Sequence, residues 1–381
     1  MSSHIPHRPA PSARLLCGPG PSNVSPAALA AMHRPMLGHL DPEFHEILLE
    51  VVDLLRVAYR AKRGLVLPLQ ATGTSGMEAG FANLVEPGDV VVIGTCGYFG
   101  RRMCEVARRC AARVVPVEAD WGECVPNDRL LEALDDHPDA KLLAVVHAET
   151  STGVEHPLKD LGDALRGRDV LLMADCVTSL GGVELEFDAW RIDYAYSCTQ
   201  KCLGAPPGMS PIAVSDRALQ QIRDRRTPVP FSYDLMELER YWVQRPAVYH
   251  HTAPILHIYA LHEALRELAV EGLEERWRRH EQAGRRLQAR LCERGLELLA
   301  DFDCQLAPLT AVRLPDGIDG KRIQTRMLDE HRIEIGGGLG PAAPAMWRIG
   351  LMGHNARVDV ADRVLGALDS VLATEGALTA A

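Results

Sequence analysis

The chain lacks most of the features that would assign it quickly. Its ten cysteines include no C-x-x-C pair and no zinc-like Cys/His spacing. Several lie inside apolar runs (Cys96, Cys176, Cys198), where a thiol behaves as a small hydrophobe. They are read as reduced thiols, and the protein is expected to be cytoplasmic. No apolar run approaches the ~20 residues that cross a bilayer. Residues 1–11 hold no apolar signal core, and Leu378-Thr379-Ala380-Ala381 carries no recognisable address, so no targeting is expected. There is no basic excess either. The net charge is −10, which argues against general nucleic-acid binding. An anionic ligand must then be held by local donors against an unfavourable overall field. Repeats and low-complexity blocks are absent. So are a Walker A sequence and a G-x-G-x-x-G fingerprint, which removes a nucleotide-dependent Rossmann enzyme.

What remains is an ordinary globular composition, 47% apolar and 24% charged. A length of 381 residues suggests two domains and an arm. The arm is expected over residues 1–24, a large unit over 25–253 and a small α+β unit over 254–381. Within the large unit, short apolar runs alternate with helical patterns. Strands are expected at 65–69, 90–94, 113–117, 142–147, 170–174, 194–197 and 210–214. Helices are expected at 41–62, 77–84, 100–111 and 127–135. This alternation predicts an α/β fold with a mainly parallel sheet between helices. Beyond residue 253 one long helical pattern runs from Ile255 to Arg294. Short strands at 305–307, 310–312, 333–335 and 346–349 follow, with helices at 320–330 and 358–372.

In an open parallel sheet, ligands bind beyond the carboxyl ends of the strands, and the notable residues fall there. Thr72-Gly73-Thr74-Ser75-Gly76 offers small residues and a helix start, a cradle for phosphate or simply a capped turn. Tyr98 and Phe99 between glycines follow the next strand, either as a plate for a flat ring or as core. Glu149-Thr150-Ser151 carries hydroxyls that fit a ligand or a turn. Asp175 closes an apolar strand, as a cap or as a functional carboxylate. Lys201 lies among small and Gly/Pro residues with no carboxylate nearby in sequence. It fits a snorkelling cation, or a desolvated amine of the kind that forms a Schiff base with a carbonyl cofactor. Arg348 interrupts an apolar C-terminal strand and needs an anion, whether an ion-pair partner or a substrate carboxylate.

These segments together resemble the class V aminotransferases of pyridoxal phosphate fold type I. The branch they are most similar to is the alanine/serine–glyoxylate aminotransferases. The resemblance runs from about Leu15 to Leu372. It is carried by Gly18-Pro19-Gly20-Pro21-Ser22, residues 38–44, Glu149–Gly153, Asp175 with Ser179-Leu180-Gly181, Gln200-Lys201, Pro206-Pro207-Gly208, Tyr249–Thr252 and Trp347–Gly350. It implies an aminotransferase that uses pyridoxal 5′-phosphate to make glycine from glyoxylate, with alanine or serine as donor. Lys201 would hold the cofactor and shuttle a proton, with Asp175 at the pyridine nitrogen. Thr72, Gly73, Thr74 and Gln200 would bind the phosphate. Phe99 and Thr150 would adjoin the ring, and Arg348 and Gly20 would meet the substrate. Tyr249 and Thr252 would reach the phosphate of a neighbouring subunit, which implies a homodimer with shared sites.

Departures from the pattern are visible. The animal enzymes carry tryptophan where this chain has Phe99 and histidine where it has Thr74. Ureidoglycine–glyoxylate aminotransferases are also similar, but typically have asparagine at the position of Tyr249. A cysteine desulfurase would need a nucleophilic cysteine in the small unit, where only Cys292 and Cys304 are available. A non-catalytic binding protein on the same frame would need none of Lys201, Asp175 and Arg348.

Overall fold

The computed structural model describes residues 10–340 and 345–375. Most of the extreme termini read for targeting signals lies outside the described residues.

The chain opens with β1 (Leu15–Leu16), α1 (Pro26–Ala31) and α2 (Pro42–Tyr59). An alternating run follows: β2 (Leu65–Leu69), α3 (Gly73–Leu84), β3 (Val90–Thr95), α4 (Tyr98–Arg109), β4 (Arg113–Glu118), α5 (Asn127–Asp136) and β5 (Ala140–Val146). A two-stranded ribbon, β6 (Ala148–Glu149) and β7 (Val154–Glu155), leads to α6 (Leu158–Ala164). Then come β8 (Leu171–Asp175), β9 (Tyr194–Tyr196), β10 (Ser210–Val214), α7 (Asp216–Arg223) and α8 (Leu235–Trp242). Two long helices, α9 (Ile255–Glu271) and α10 (Leu273–Cys292), precede β11 (Leu309–Arg313), α11 (Gly320–His331), β12 (Ile333–Glu334), β13 (Gly336–Gly337), β14 (Met346–Gly350) and α12 (Val358–Thr374).

The central sheet has seven strands in the order β2-β10-β9-β8-β5-β3-β4. Every ladder in it is parallel except the two made by β10, which is antiparallel to β2 and β9. Strands β2, β3, β8, β9 and β10 are buried along their whole length, as helix cover on both faces requires. The sequence start signals work as expected. Asp41 caps α2 by accepting from Glu43 N at 2.9 Å, with Pro42 at the first helical position.

Two expectations are corrected. The single helix read over 255–294 is two helices, broken at Gly272, whose φ of +85° suits only glycine. No strand forms at 305–307. Gln305 makes only an isolated bridge to Val154, and Leu306 is buried without a ladder. Buried apolar residues looked like a strand because burial, not pairing, is what the pattern records.

A large apolar core surrounds the central sheet and takes in the buried face of α9. A smaller one joins α10, α11, α12, β11, β12 and β14. The N-terminal segment crosses between them. β1 pairs in parallel with β12, and a few residues later Ser22 N donates to Gln200 O at 2.9 Å.

Candidate active site

The carboxyl ends of β5 and β8, the start of α3 and the loop after β9 enclose a cavity of about 280 Å³. Its lining includes Gly20, Thr72, Gly73, Thr74, Phe99, Thr150, Asp175, Gln200 and Lys201. Nine of the expected site residues therefore meet in one place. Arg348, Tyr249 and Thr252 are not part of that lining.

Lys201 follows the turn after β9 and reaches the carbonyl oxygen of Pro19, to which its ammonium donates. Burial pulls its proton affinity below the usual lysine range, and Arg348 pushes the same way. The thiols of Cys198 and Cys202 and the carboxylate of Asp175 partly offset this. The lysine is thus poised to become a neutral amine. Gly20 is what lets it lie there. A Cβ on Gly20 would stand 2.7 Å from Lys201 Cδ, Cε and Nζ, and its φ is +111°. Ser22 fixes the other side of the loop, its hydroxyl donating to Lys201 O at 3.0 Å.

Asp175 ends β8 and is 2% exposed. Burial raises its carboxyl pKa to about 6. Tyr196 Oη donates to Oδ2 at 2.6 Å and Val177 N to Oδ1 at 2.9 Å, which limits the rise. Sequence reasoning missed Tyr196, because a tyrosine inside a strand pattern reads as core. Its hydroxyl aligns the carboxylate.

Thr72 is the cap of α3, and its Oγ1 accepts from Ser75 N at 3.2 Å. That hydroxyl accepts for the cap and still has its O–H, and the N–H groups of Gly73 and Thr74 have no acceptor within the helix. Gly73 also has to be small. A Cβ there would meet Val177 Cγ2 at 2.9 Å. Beside this cradle, Gln200 Oε1 and Thr178 Oγ1 are buried with no partner.

Glu149 is not among the site residues expected from the sequence. It is fully buried, with its pKa raised by burial. It accepts from Ser151 N and Oγ at 2.9 and 2.6 Å, from Phe99 N at 3.0 Å and from Gly100 N at 3.2 Å. Ser151 is therefore structural, while Thr150 faces the cavity. Arg348 on β14 lies behind Thr150, donating from Nη1 to its carbonyl at 3.3 Å and from Nε to Gly337 O at 2.7 Å. Burial lowers the proton affinity of Arg348, and the charge of Glu149 partly offsets this. Tyr249 is 58% exposed, touching the ring of His39, and Thr252 is exposed too. Cys292 and Cys304 lie away from the cavity, the first exposed and the second beside Cys124 and His156.

Pyridoxal 5′-phosphate fits these residues. Free helix N–H groups and the partnerless Thr178 hydroxyl suit a phosphate, Phe99 and Val177 offer apolar groups to the cavity lining, and a buried carboxyl suits a protonated ring nitrogen.

The family model for class-V aminotransferases matches residues 25–361. An alanine–glyoxylate aminotransferase of Drosophila melanogaster is 37% identical, over 94% of this chain and 92% of the relative. The solved structure of an alanine–glyoxylate aminotransferase from Nostoc sp. superposes with a TM-score of 0.94 at 46% identity, covering 97% of this chain and 98% of that one. A ureidoglycine–glyoxylate aminotransferase from Bacillus subtilis gives a TM-score of 0.95 at 37% identity, covering 98% and 97%.

Proposed function

We propose, on the premise that this chain belongs to the class-V aminotransferase family, that it transfers the amino group of alanine or serine to glyoxylate, giving glycine. The amino transfer itself follows from the family and the close relatives. The donor and acceptor are the proposal. The observation that supports amino transfer at this site is the meeting, in one small cavity, of a desolvated lysine and a buried carboxylate held by Tyr196.

When bound, pyridoxal 5′-phosphate supplies the carbonyl that takes up the amino group and a ring that stores the electrons of the broken Cα–H bond. Lys201 would hold it, Asp175 would meet its ring nitrogen, and Gly73, Thr74 and Gln200 would take its phosphate. The rest belongs to the protein. As a neutral amine, Lys201 Nζ accepts a proton from the substrate Cα and would pass it on to the carbon of the cofactor's carbonyl. Asp175 keeps a negative charge against the ring nitrogen, steadied by Tyr196 and Val177. Arg348 spends Nε and Nη1 on backbone carbonyls and keeps Nη2 for a substrate carboxylate. Gly20 and Thr150 close the space above the lysine.

A homodimer is part of the proposal. The exposed Tyr249 and Thr252 would then serve the phosphate site of a second copy. So is a cytoplasmic setting, supported by ten free cysteines. A second reading, ureidoglycine as donor, is favoured by the likeness to the Bacillus subtilis enzyme. Tyr249, where those enzymes typically have asparagine, supports alanine or serine instead.

The test is a half-reaction screen. Amino acids are mixed singly with the loaded enzyme and conversion of the cofactor to its amine form is followed by absorbance. Alanine or serine should react fastest, and glyoxylate should restore the original spectrum. Equal rates for all donors would remove the preference, and a lead for ureidoglycine would select the second reading.

A further inference from the structure

Arg102 has no part in the chemistry above. It lies on α4, half-buried, and lines the cavity. Among the described residues it makes no ion pair, whereas Arg109 on the same helix is bonded to Glu105 at 2.8 Å. A guanidinium has five N–H donors. Arg102 uses one, from Nη1 to Thr74 Oγ1 at 3.0 Å. The group is held in place by two aromatic faces, with its central carbon 4.9 Å from the Tyr98 ring and 5.1 Å from the Phe99 ring.

Thr74 also carries one of the free N–H groups at the start of α3. A fixed cation and a helix start thus converge on one residue, with most of the cation's donors unspent. The electrostatic need is clear. A helix start offers the equivalent of about half a positive charge. A phosphate monoester carries about −1.5 to −2. The chain as a whole is at −10, and Asp175 lines the same cavity. Lys201 is directed at Pro19 O, and Arg348 lies behind Thr150. No other side chain of the lining has a permanent positive charge.

We propose that Arg102 is a phosphate ligand of the cofactor site, supplying through its free N–H groups the charge that α3 lacks. The proposal rests on the pyridoxal phosphate reading above. It also explains why Phe99 and Tyr98 stand together at the start of α4. They hold the guanidinium as well as flanking the ring.

The test uses the full-length chain stripped of cofactor, as wild type, R102K and R102Q. Each is titrated with pyridoxal 5′-phosphate and with pyridoxal, which lacks the phosphate, by fluorescence quenching. Inorganic phosphate is added as competitor. Losing a charge-assisted contact should weaken pyridoxal phosphate binding about ten- to hundredfold in R102Q and less in R102K. Pyridoxal affinity should not change, and inorganic phosphate should compete more weakly against R102Q than against wild type. Equal losses for both vitamers would overturn the proposal and make Arg102 a strut for Phe99. No loss for either would overturn it too, as would a defect seen only as a higher KM for an acidic oxo acid. Should R102Q not fold, R102K carries the same comparison. If the wild type binds neither vitamer, the cofactor reading itself fails, which a defect confined to R102Q cannot mimic.

Discussion

Around the small C-terminal core, charged groups stand largely in pairs. Arg294 holds Asp369 at 2.5 Å, and Arg326 reaches Glu330 at 2.6 Å and Glu375 at 2.9 Å. Its interior is built from leucine, valine, isoleucine and alanine around Trp347. Around the cavity the opposite holds. Asp175 and Glu149 are buried acids with raised pKa, Lys201 is a base with a lowered one, and Gln200, Thr178 and Ser179 keep polar atoms without partners. Groups of that kind cost stability unless something else needs them. The small core stabilises the fold and gives little chemistry. The cavity gives up stability to hold reactive groups ready.

Substitutions can break that contrast, and the largest effect should come from Lys201. Lys201→Ala should lose at least about a thousandfold in turnover, together with the absorbance of covalently held cofactor, and leave the fold intact by circular dichroism. A variant with normal turnover would sink the assignment.

Asp175→Asn should separate activity from stability. Turnover should fall about a hundredfold or more. A carboxyl whose pKa rises from 3.8 unfolded to about 6 folded binds its proton more tightly in the folded state. It therefore favours folding most at low pH, and that contribution is lost as pH rises from about 4 to 6. A rise of that size corresponds to about 3 kcal/mol. The cofactor-free asparagine variant should thus melt no lower than wild type at pH 7.5, and its melting temperature should change less between pH 4 and 6. A variant that melts far lower at pH 7.5 would mean that the carboxylate is structural.

Leu368→Ala tests the other region. Truncating this fully buried leucine should cost about 2–5 kcal/mol, read by denaturant unfolding, with turnover per folded molecule unchanged. Gly20→Ala is intermediate. Its methyl would press on Lys201, so about a tenfold loss in turnover is expected with only a modest drop in melting temperature. The smallest effect should be Phe99→Trp, a few-fold tightening of cofactor binding from the larger ring face, read by equilibrium titration.

Much of the fold was legible because strands and helices leave periodic patterns. The limits of β2 and β10 match those read from apolar runs. The direction of β10 was not legible, since its burial pattern is the same either way round. At the site, Asp175, Lys201 and the start of α3 could be read because each follows a strand, and strand ends converge. Arg102 could not. On α4 it is one of several exposed or half-exposed arginines, and only the fold brings it to Thr74. Tyr196 and the Pro19 carbonyl were hidden for the same reason. A hydroxyl and a main-chain oxygen carry no pattern of their own until the chain closes around them.

The path of the residues around β1 has a consequence for biosynthesis. β1 finds its partner only in β12, near the other end of the chain, and the Pro19 carbonyl that receives Lys201 belongs to the same segment. During synthesis, that segment emerges well before β12 and must wait for it before the two can pair. An unfinished chain therefore has its lysine but not the clasp that orients it. The segment around the amine is anchored only once β12 has been made, so a product truncated before β12 would carry an incomplete site.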